Sequence, residues 1–95
     1  MYAVVRTFSG PGAKDLFEVL EARKTELEAA IRSVPGLVSY TLLRSGDGGV
    51  SVTVCSDKVG TDASVQLTRE WEEHNASSFG WPPIVEEGVV LVQMN

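Results

Sequence analysis

Along the chain, segments with the two-residue apolar period of a β-strand alternate with segments that have the apolar period of a helix. The change from strand period to helix period occurs twice, and each time the strand period returns. Apolar and β-branched residues dominate 2–8, then the neighbouring runs 37–44 and 50–55, and finally 88–94. Between them lie stretches with apolar residues three, four or seven positions apart. This order predicts strand, helix, strand, strand, helix, strand, the ferredoxin-like α+β arrangement with helices on one face of an antiparallel sheet.

A first helix is predicted over 14–34, because its apolar residues repeat at helical spacing along one face. These residues are Leu16, Leu20, Leu27, Ile31 and Val34. Pro35 and Gly36 mark its end, since proline cannot continue a helix and glycine permits the reversed backbone of a helix terminus. The glycine-rich turn at 45–49 joins the two central strand runs and predicts an antiparallel hairpin.

A second helix is predicted from about Thr61, a good N-cap residue, to about position 75. Ala63, Leu67 and Trp71 share one of its faces, and this face is expected to meet the sheet. Residues 79–83 are expected to form a loop, because the prolines within this segment cannot donate a hydrogen bond to a sheet.

Both faces of the first and last predicted strands are apolar. In the first strand Tyr2 and Val4 point to one side, while Ala3 and Val5 point to the other, and the strand predicted at 88–94 repeats the pattern. A sheet covered by helices on one side usually alternates to polar residues on the other. Since an uncovered apolar face promotes aggregation, a second copy of the chain is expected to cover it. We therefore predict a homodimer.

Composition limits the class of protein. The 95 residues, 43% of them hydrophobic, are enough for one domain over 1–95 and not for two. A net charge of -5 argues against a nucleic-acid partner, which would require clustered cations. No apolar run is long enough to span a membrane. A single cysteine, Cys55, and a start without the pattern of a signal peptide favour a cytoplasmic location.

Four parts of the sequence carry a resemblance to a known family: 34–40 after the first helix, 50–55 leading into the second, Trp71 within it, and 87–90 at the last strand. With them the whole chain resembles the antibiotic biosynthesis monooxygenase-like domains of the dimeric α+β barrel superfamily. The resemblance implies one ligand pocket in each subunit, between the sheet and its helices. Members include cofactor-independent oxygenases of polycyclic aromatic compounds and quinols, and haem-degrading enzymes.

The haem-degrading members combine an asparagine in the first strand, a tryptophan in the second helix and a haem-ligating histidine further along it. Trp71 matches in kind, but the first strand has Arg6 and Thr7, and the sole histidine, His74, follows only three residues after Trp71. The sequence also has no zinc-ligand spacing and no glycine-rich phosphate loop. No haem, metal or nucleotide cofactor is therefore expected.

Five residues with reactive or aromatic side chains each allow two interpretations. His74 could move a proton to or from a phenolic substrate, or be a solvated residue at a helix end. Arg6 would need an anionic partner from protein or ligand if buried, while an exposed strand end would need none. Trp71 and Tyr40 could lie along a flat substrate or belong to the core. Cys55 is expected to be a small buried side chain and not a nucleophile.

Two classes of function remain open. In the first, the domain is a cofactor-independent monooxygenase of an aromatic or quinol-like small molecule, with His74 and Arg6 as catalytic residues and Trp71 and Tyr40 as substrate-binding residues. In the second, it is a non-catalytic domain that binds a small ligand or regulates. The sequence does not choose between them, because a shared fold does not transfer a reaction.

Overall fold

A computed structural model describes residues 1–75 and 83–94 of the chain. One antiparallel sheet, in the order β2-β3-β1-β4, contains β1 (Tyr2–Phe8), β2 (Leu37–Ser45), β3 (Gly48–Cys55) and β4 (Ile84–Val89). Three helices connect the strands: α1 (Ala13–Ala22), α2 (Lys24–Ile31) and α3 (Lys58–Asn75). The predicted ferredoxin-like α+β fold is confirmed. No helix in the described part is long and apolar enough to cross a bilayer.

The central strand β1 determines which side chains lie beneath the helices. It pairs with β3 on one side and with β4 on the other. Val4, Arg6 and Phe8 alternate along it and are buried, with exposed fractions of 1%, 5% and 5%. Because alternate residues of a strand share a face, these three mark the helix-covered face of the sheet.

The hydrophobic core combines this face with the helical stripe seen in the sequence. Its buried members are Phe8, Leu16, Phe17, Leu20, Leu27 and Ile31. The rings of Phe8 and Phe17 meet edge to face, with centroids 5.7 Å apart and planes at 69°, a favourable aromatic geometry. Most of the core therefore comes from α1 and α2, at the end of the sheet where β1, β2 and β3 meet them.

The single helix predicted over 14–34 is two helices, α1 and α2. The break lies at Arg23, whose φ of -116° and ψ of 25° depart from helical values. Leu20 and Leu27 are buried on either side of it, but Arg23 and Lys24 between them are exposed. Since no apolar side chain anchors this middle turn to the sheet, the two halves can follow different directions.

The second helix begins at Lys58, earlier than the predicted start at Thr61. The N-cap is Asp57, whose side-chain carboxylate accepts a hydrogen bond from the Gly60 amide at 3.3 Å. This geometry satisfies one of the unpaired amides of the first helical turn. Thr61 lies inside the helix, and its hydroxyl donates to the Lys58 carbonyl.

The face of α3 that meets the sheet also differs from the prediction. Its most buried residues are polar, namely Thr61, Ser64, Thr68 and Glu72, all between 0% and 6% exposed. Ala63, Leu67 and Trp71 lie beside this polar stripe and are only half-buried, although Leu67 and Trp71 do pack against the hydrophobic core. The prediction that the apolar face of α3 meets the sheet was therefore wrong for the centre of this contact, which is polar.

The last strand is shifted from the predicted 88–94 to Ile84–Val89. Its pairing with β1 ends where β1 begins, with one further hydrogen bond from the Val90 amide to the Met1 carbonyl at 3.0 Å. Residues 91–94 follow without a strand partner among the described residues. The loop predicted at 79–83 lies outside the described residues except for Pro83.

The face of the sheet opposite the helices is apolar at its centre, as the sequence predicted. Val5 pairs with Val52, and both are only half-buried. Leu43 on β2 and Ile84 on β4 are 46% and 62% exposed. A single chain therefore leaves apolar side chains from all four strands partly exposed on this face.

The capping role of Asp57 can be tested by substitution. We expect Asp57→Ala to lower the free energy of unfolding by about 1 kcal/mol, because it removes the acceptor for the Gly60 amide. Asp57→Asn should retain most of the stability, since asparagine caps as well as aspartate. Urea denaturation at fixed protein concentration measures both. Asp47→Ala, in the exposed hairpin turn, controls for the lost charge, and an equal loss in this variant would contradict the capping role.

Candidate functional site

A cavity of about 520 Å³ lies between the first two helices and strand β2. Its apolar walls are Phe17 and Leu20 from α1, Leu27 and Ile31 from α2, and Leu37 and Leu42 from β2. This volume falls within the range of small-molecule sites, which are mostly apolar and carry a few polar groups.

The register of the hairpin explains why β2 contributes to this cavity. Tyr40 pairs with Thr53 and Leu42 pairs with Ser51, and both partners belong to the helix-covered face. Tyr40 therefore points to the same side as the helices and packs against the hydrophobic core. It is also the aromatic polar residue of the cavity wall.

A buried ion pair lies under α3. Arg6 Nη2 donates to Glu72 Oε1 at 3.0 Å, and Arg6 Nη1 donates to Thr68 Oγ1 at 2.6 Å. The side chains of Arg6 and Glu72 are 6% and 8% exposed. The guanidinium also lies 5.0 Å from the centroid of the Phe8 ring, within the range of a cation–π contact. The Arg6 cation is thus held by a carboxylate, a hydroxyl and an aromatic face.

One donor of this guanidinium remains unused. Arg6 Nε is buried and has no hydrogen-bond partner within 1–75 and 83–94. Buried polar atoms of this kind are rare and costly in folded proteins.

Tyr40 links the cavity to the ion pair. Burial raises the pKa of its hydroxyl to about 12, while the charge of Arg6 lowers this pKa and the charge of Glu72 raises it. The hydroxyl makes no hydrogen bond to the described residues. At neutral pH it is therefore a protonated, unused donor on the cavity wall, within the electric field of both charges.

Burial also raises the pKa of the Glu72 carboxyl above its usual value, against the opposing effects of Arg6 and Arg69. A carboxyl that gains a proton more readily than in water is a common feature of functional sites. In this chain the raised pKa concerns the group that holds Arg6 in place.

The structure brings together two of the four predicted site residues. Arg6 lies close enough to Tyr40 for its charge to lower the pKa of the Tyr40 hydroxyl, although only Tyr40 is among the described residues that line the cavity. His74 lies on the exposed side of α3, where its Nδ1 is 3.1 Å from the Glu70 carbonyl oxygen. Trp71 packs against the hydrophobic core and is not among the described residues that line the cavity. The roles assigned to His74 and Trp71 stay predictions.

Sequence reasoning missed Glu72 and Thr68. A signal was present, because Thr61, Ser64, Thr68 and Glu72 repeat at intervals of three, four and four and form a polar stripe along one helical face. Such a stripe usually indicates a solvated surface. The presence of Arg6 in a strand otherwise rich in apolar residues indicated that polar partners would be needed on a facing element.

Cys55 is fully buried in the core. Burial raises the pKa of its thiol, and the nearby charge of Asp57 raises it further. This environment favours the neutral thiol over the reactive thiolate. Over the described ranges, no group of three or more His, Cys, Asp or Glu side chains is placed to hold a metal ion.

No family model and no curated protein matches the sequence. Solved structures do match its fold. NE2512, a protein of unknown function from Nitrosomonas europaea, has a TM-score of 0.72 and 16% identity, over 99% of this chain and 91% of that one. A dimeric ferredoxin-like protein from an uncultured marine organism has a TM-score of 0.66 and 13% identity, over 99% of this chain and 95% of that one.

A monooxygenase from the gene ActVA-Orf6 of Streptomyces coelicolor, solved with the ligand nanaomycin D, is also similar. Its TM-score is 0.61 at 23% identity, over 97% of this chain and 91% of that one. These comparisons confirm the ferredoxin-like fold and the resemblance to monooxygenase-like domains at the level of fold. At such identities they do not transfer a reaction.

The position of Tyr40 predicts how it titrates. A phenolate absorbance titration should show a component with a pKa of about 12, which Tyr40→Phe removes and Tyr2→Phe retains. Because this folded-state pKa lies above the ordinary value of 10.0, the contribution of Tyr40 to stability is complete below about pH 10 and lost as pH rises through about 12. Urea melts between about pH 9 and pH 11.5 should therefore decline less in Tyr40→Phe. An unchanged late component in Tyr40→Phe would show that the titrating group lies elsewhere.

Proposed function

We propose that the cavity binds a flat, largely apolar small molecule and that the domain is a cofactor-independent monooxygenase of an aromatic or quinol-like substrate. The observation that carries this proposal is the unused hydroxyl donor of Tyr40 on the wall of a cavity of about 520 Å³, next to the buried cation of Arg6. The apolar walls would exclude water from the bound ring system.

Such a reaction needs a substrate that can become an electron-rich anion. Loss of a proton from a phenol or from its keto form gives a phenolate or enolate, which can donate electrons to dioxygen. Tyr40 would donate a hydrogen bond to the developing oxyanion, and the Arg6 cation would stabilise its charge. Glu72 is a positioning residue, since it holds the guanidinium through the 3.0 Å contact.

The atoms balance without a further reductant when the substrate carries an activated methylene group, as anthrone does. One oxygen atom of O2 replaces the two methylene hydrogens and becomes a carbonyl oxygen. The other oxygen atom leaves with those two hydrogens as water. The substrate itself supplies all the electrons that reduce dioxygen, so no redox cofactor is required by stoichiometry.

One observation favours the second candidate, a non-catalytic binding domain. The two carboxylates that line the cavity, Glu21 and Glu28, are engaged by Arg44 and Arg32. Neither is a free base on the cavity wall. In this alternative the cavity holds an aromatic ligand without changing it.

An assay with anthrone separates the two candidates. The purified protein, treated with a chelator, should consume one molecule of O2 for each anthraquinone formed, measured with an oxygen electrode and by absorbance. Tyr40→Phe should lower kcat/KM about a hundredfold, the usual effect of removing one oxyanion donor. Tyr2→Phe is the matched control and should leave the rate unchanged. Binding of anthrone without oxygen consumption would support the non-catalytic alternative, and His74→Ala in the same assay tests the predicted role of His74.

We also propose that the domain is a homodimer in which a second copy covers the apolar outer face of the sheet. The half-buried Val5 and Val52 at its centre support this, together with the exposed Leu43 and Ile84. Two-fold pairing allows the same face to serve both copies. One of the similar solved structures is a dimeric ferredoxin-like protein.

The dimer can be tested by light scattering at micromolar concentration, which should give twice the chain mass of 10.2 kDa. Val52→Glu should shift the protein towards monomer, because it introduces a charge at the centre of the outer face. Val59→Glu, at an exposed position near the start of α3, should have no effect on mass. A monomeric unsubstituted protein would refute the pairing.

A further inference from the structure

The mouth of the cavity is charged, although its walls are apolar. Four charged residues follow one another along the first two helices at intervals of three, four and four, namely Glu21, Lys24, Glu28 and Arg32, and Arg44 lies on β2. Glu21 belongs to α1, Lys24 and Glu28 belong to α2, and Arg32 follows directly after α2, yet all four line the same cavity. Any ligand that fills the cavity must pass or contact this charged rim.

The charges of the rim do not cancel. Glu28 is paired with Arg32, and Glu21 is paired with Arg44 at 3.3 Å. Lys24 forms no ion pair with any carboxylate of the described residues. The rim therefore has one ammonium group without a counterion, in a chain whose net charge is -5.

We infer that Lys24 is a specificity residue which binds an anionic substituent, a carboxylate, at the outer end of the aromatic ligand. This inference rests on the proposed function and names the substrate class for the same site. The ligand would be a hydroxylated aromatic carboxylic acid, with its hydroxyl towards Tyr40 and its acid group towards the rim.

The two arginines of the rim strengthen this assignment. A guanidinium carries five N–H donors, and the ion pairs of Arg32 and Arg44 use only some of them. Both side chains remain partly accessible at the mouth. A carboxylate held by Lys24 could therefore accept further hydrogen bonds there, which would replace part of its lost hydration.

The acidic character of the rest of the chain makes the rim selective. Thirteen Asp and Glu residues oppose eight Lys and Arg residues, so the average surface repels an anionic ligand. A local excess of positive charge is needed to accept one. Because the rim is exposed to solvent, its effect on affinity should be several-fold and should weaken with salt.

The test compares two probes that differ only in the carboxylate: 6-hydroxy-2-naphthoate and 2-naphthol. Isothermal titration calorimetry at low salt should show that the unsubstituted protein binds the carboxylate about fivefold more tightly or better. Lys24→Met should abolish this preference and leave the affinity for 2-naphthol unchanged. Lys14→Met is the control, since Lys14 is an exposed helical lysine paired with Glu18 and away from the cavity lining.

The possible results separate this inference from the proposed function. Equal affinity for both probes in the unsubstituted protein, or a preference that survives in Lys24→Met, overturns the role of Lys24 and leaves the cavity as a binding site. If neither probe binds, both the inference and the proposed function fail. A urea melt of Lys24→Met that matches the unsubstituted protein confirms that the variant is folded.

Discussion

The ion pair between Arg6 and Glu72 is the interaction on which the arrangement of this domain depends. A guanidinium at the centre of a buried strand face loses its hydration, and removal of one partner from such a pair typically costs several kcal/mol. The hydrogen-bond acceptors that replace this hydration come from α3: Glu72 Oε1 lies 3.0 Å from Arg6 Nη2, and Thr68 Oγ1 lies 2.6 Å from Arg6 Nη1. The polar stripe of α3 is therefore turned to the sheet, and its apolar residues occupy the flank.

The orientation of α3 divides the interior into a hydrophobic region and a polar region. Beneath α1 and α2 the contact is hydrophobic, built on residues such as Phe17 and Leu20. Beneath α3 it is polar and contains Arg6 and Glu72. Tyr40 lies where the two regions meet, with its ring in the hydrophobic part and its hydroxyl under the influence of both charges. This boundary gives the cavity apolar walls and one buried tyrosine hydroxyl.

Much of the fold could be predicted from the sequence, because it rests on local patterns. The helical stripe that includes Leu16 and Ile31 and the glycine-rich hairpin turn each point to one structure. The errors arose where tertiary contacts decide. The face of α3 depends on Arg6, which is more than 60 residues away in the chain, and the end of β4 depends on where β1 begins. Arg6 and Tyr40 could be identified as candidates, but Glu72 could not, because a buried carboxylate resembles a solvated one in sequence.

The break at Arg23 gives the cavity a jointed wall. Part of the helical wall comes from α1 and the rest from α2, and these are two separate helices. The relative direction of α1 and α2, and with it the shape of this wall, therefore depends on the backbone at Arg23, an exposed position. A substitution at this exposed position would act on the cavity wall through the direction of two helices, while the Arg6–Glu72 ion pair lies under a third helix, α3.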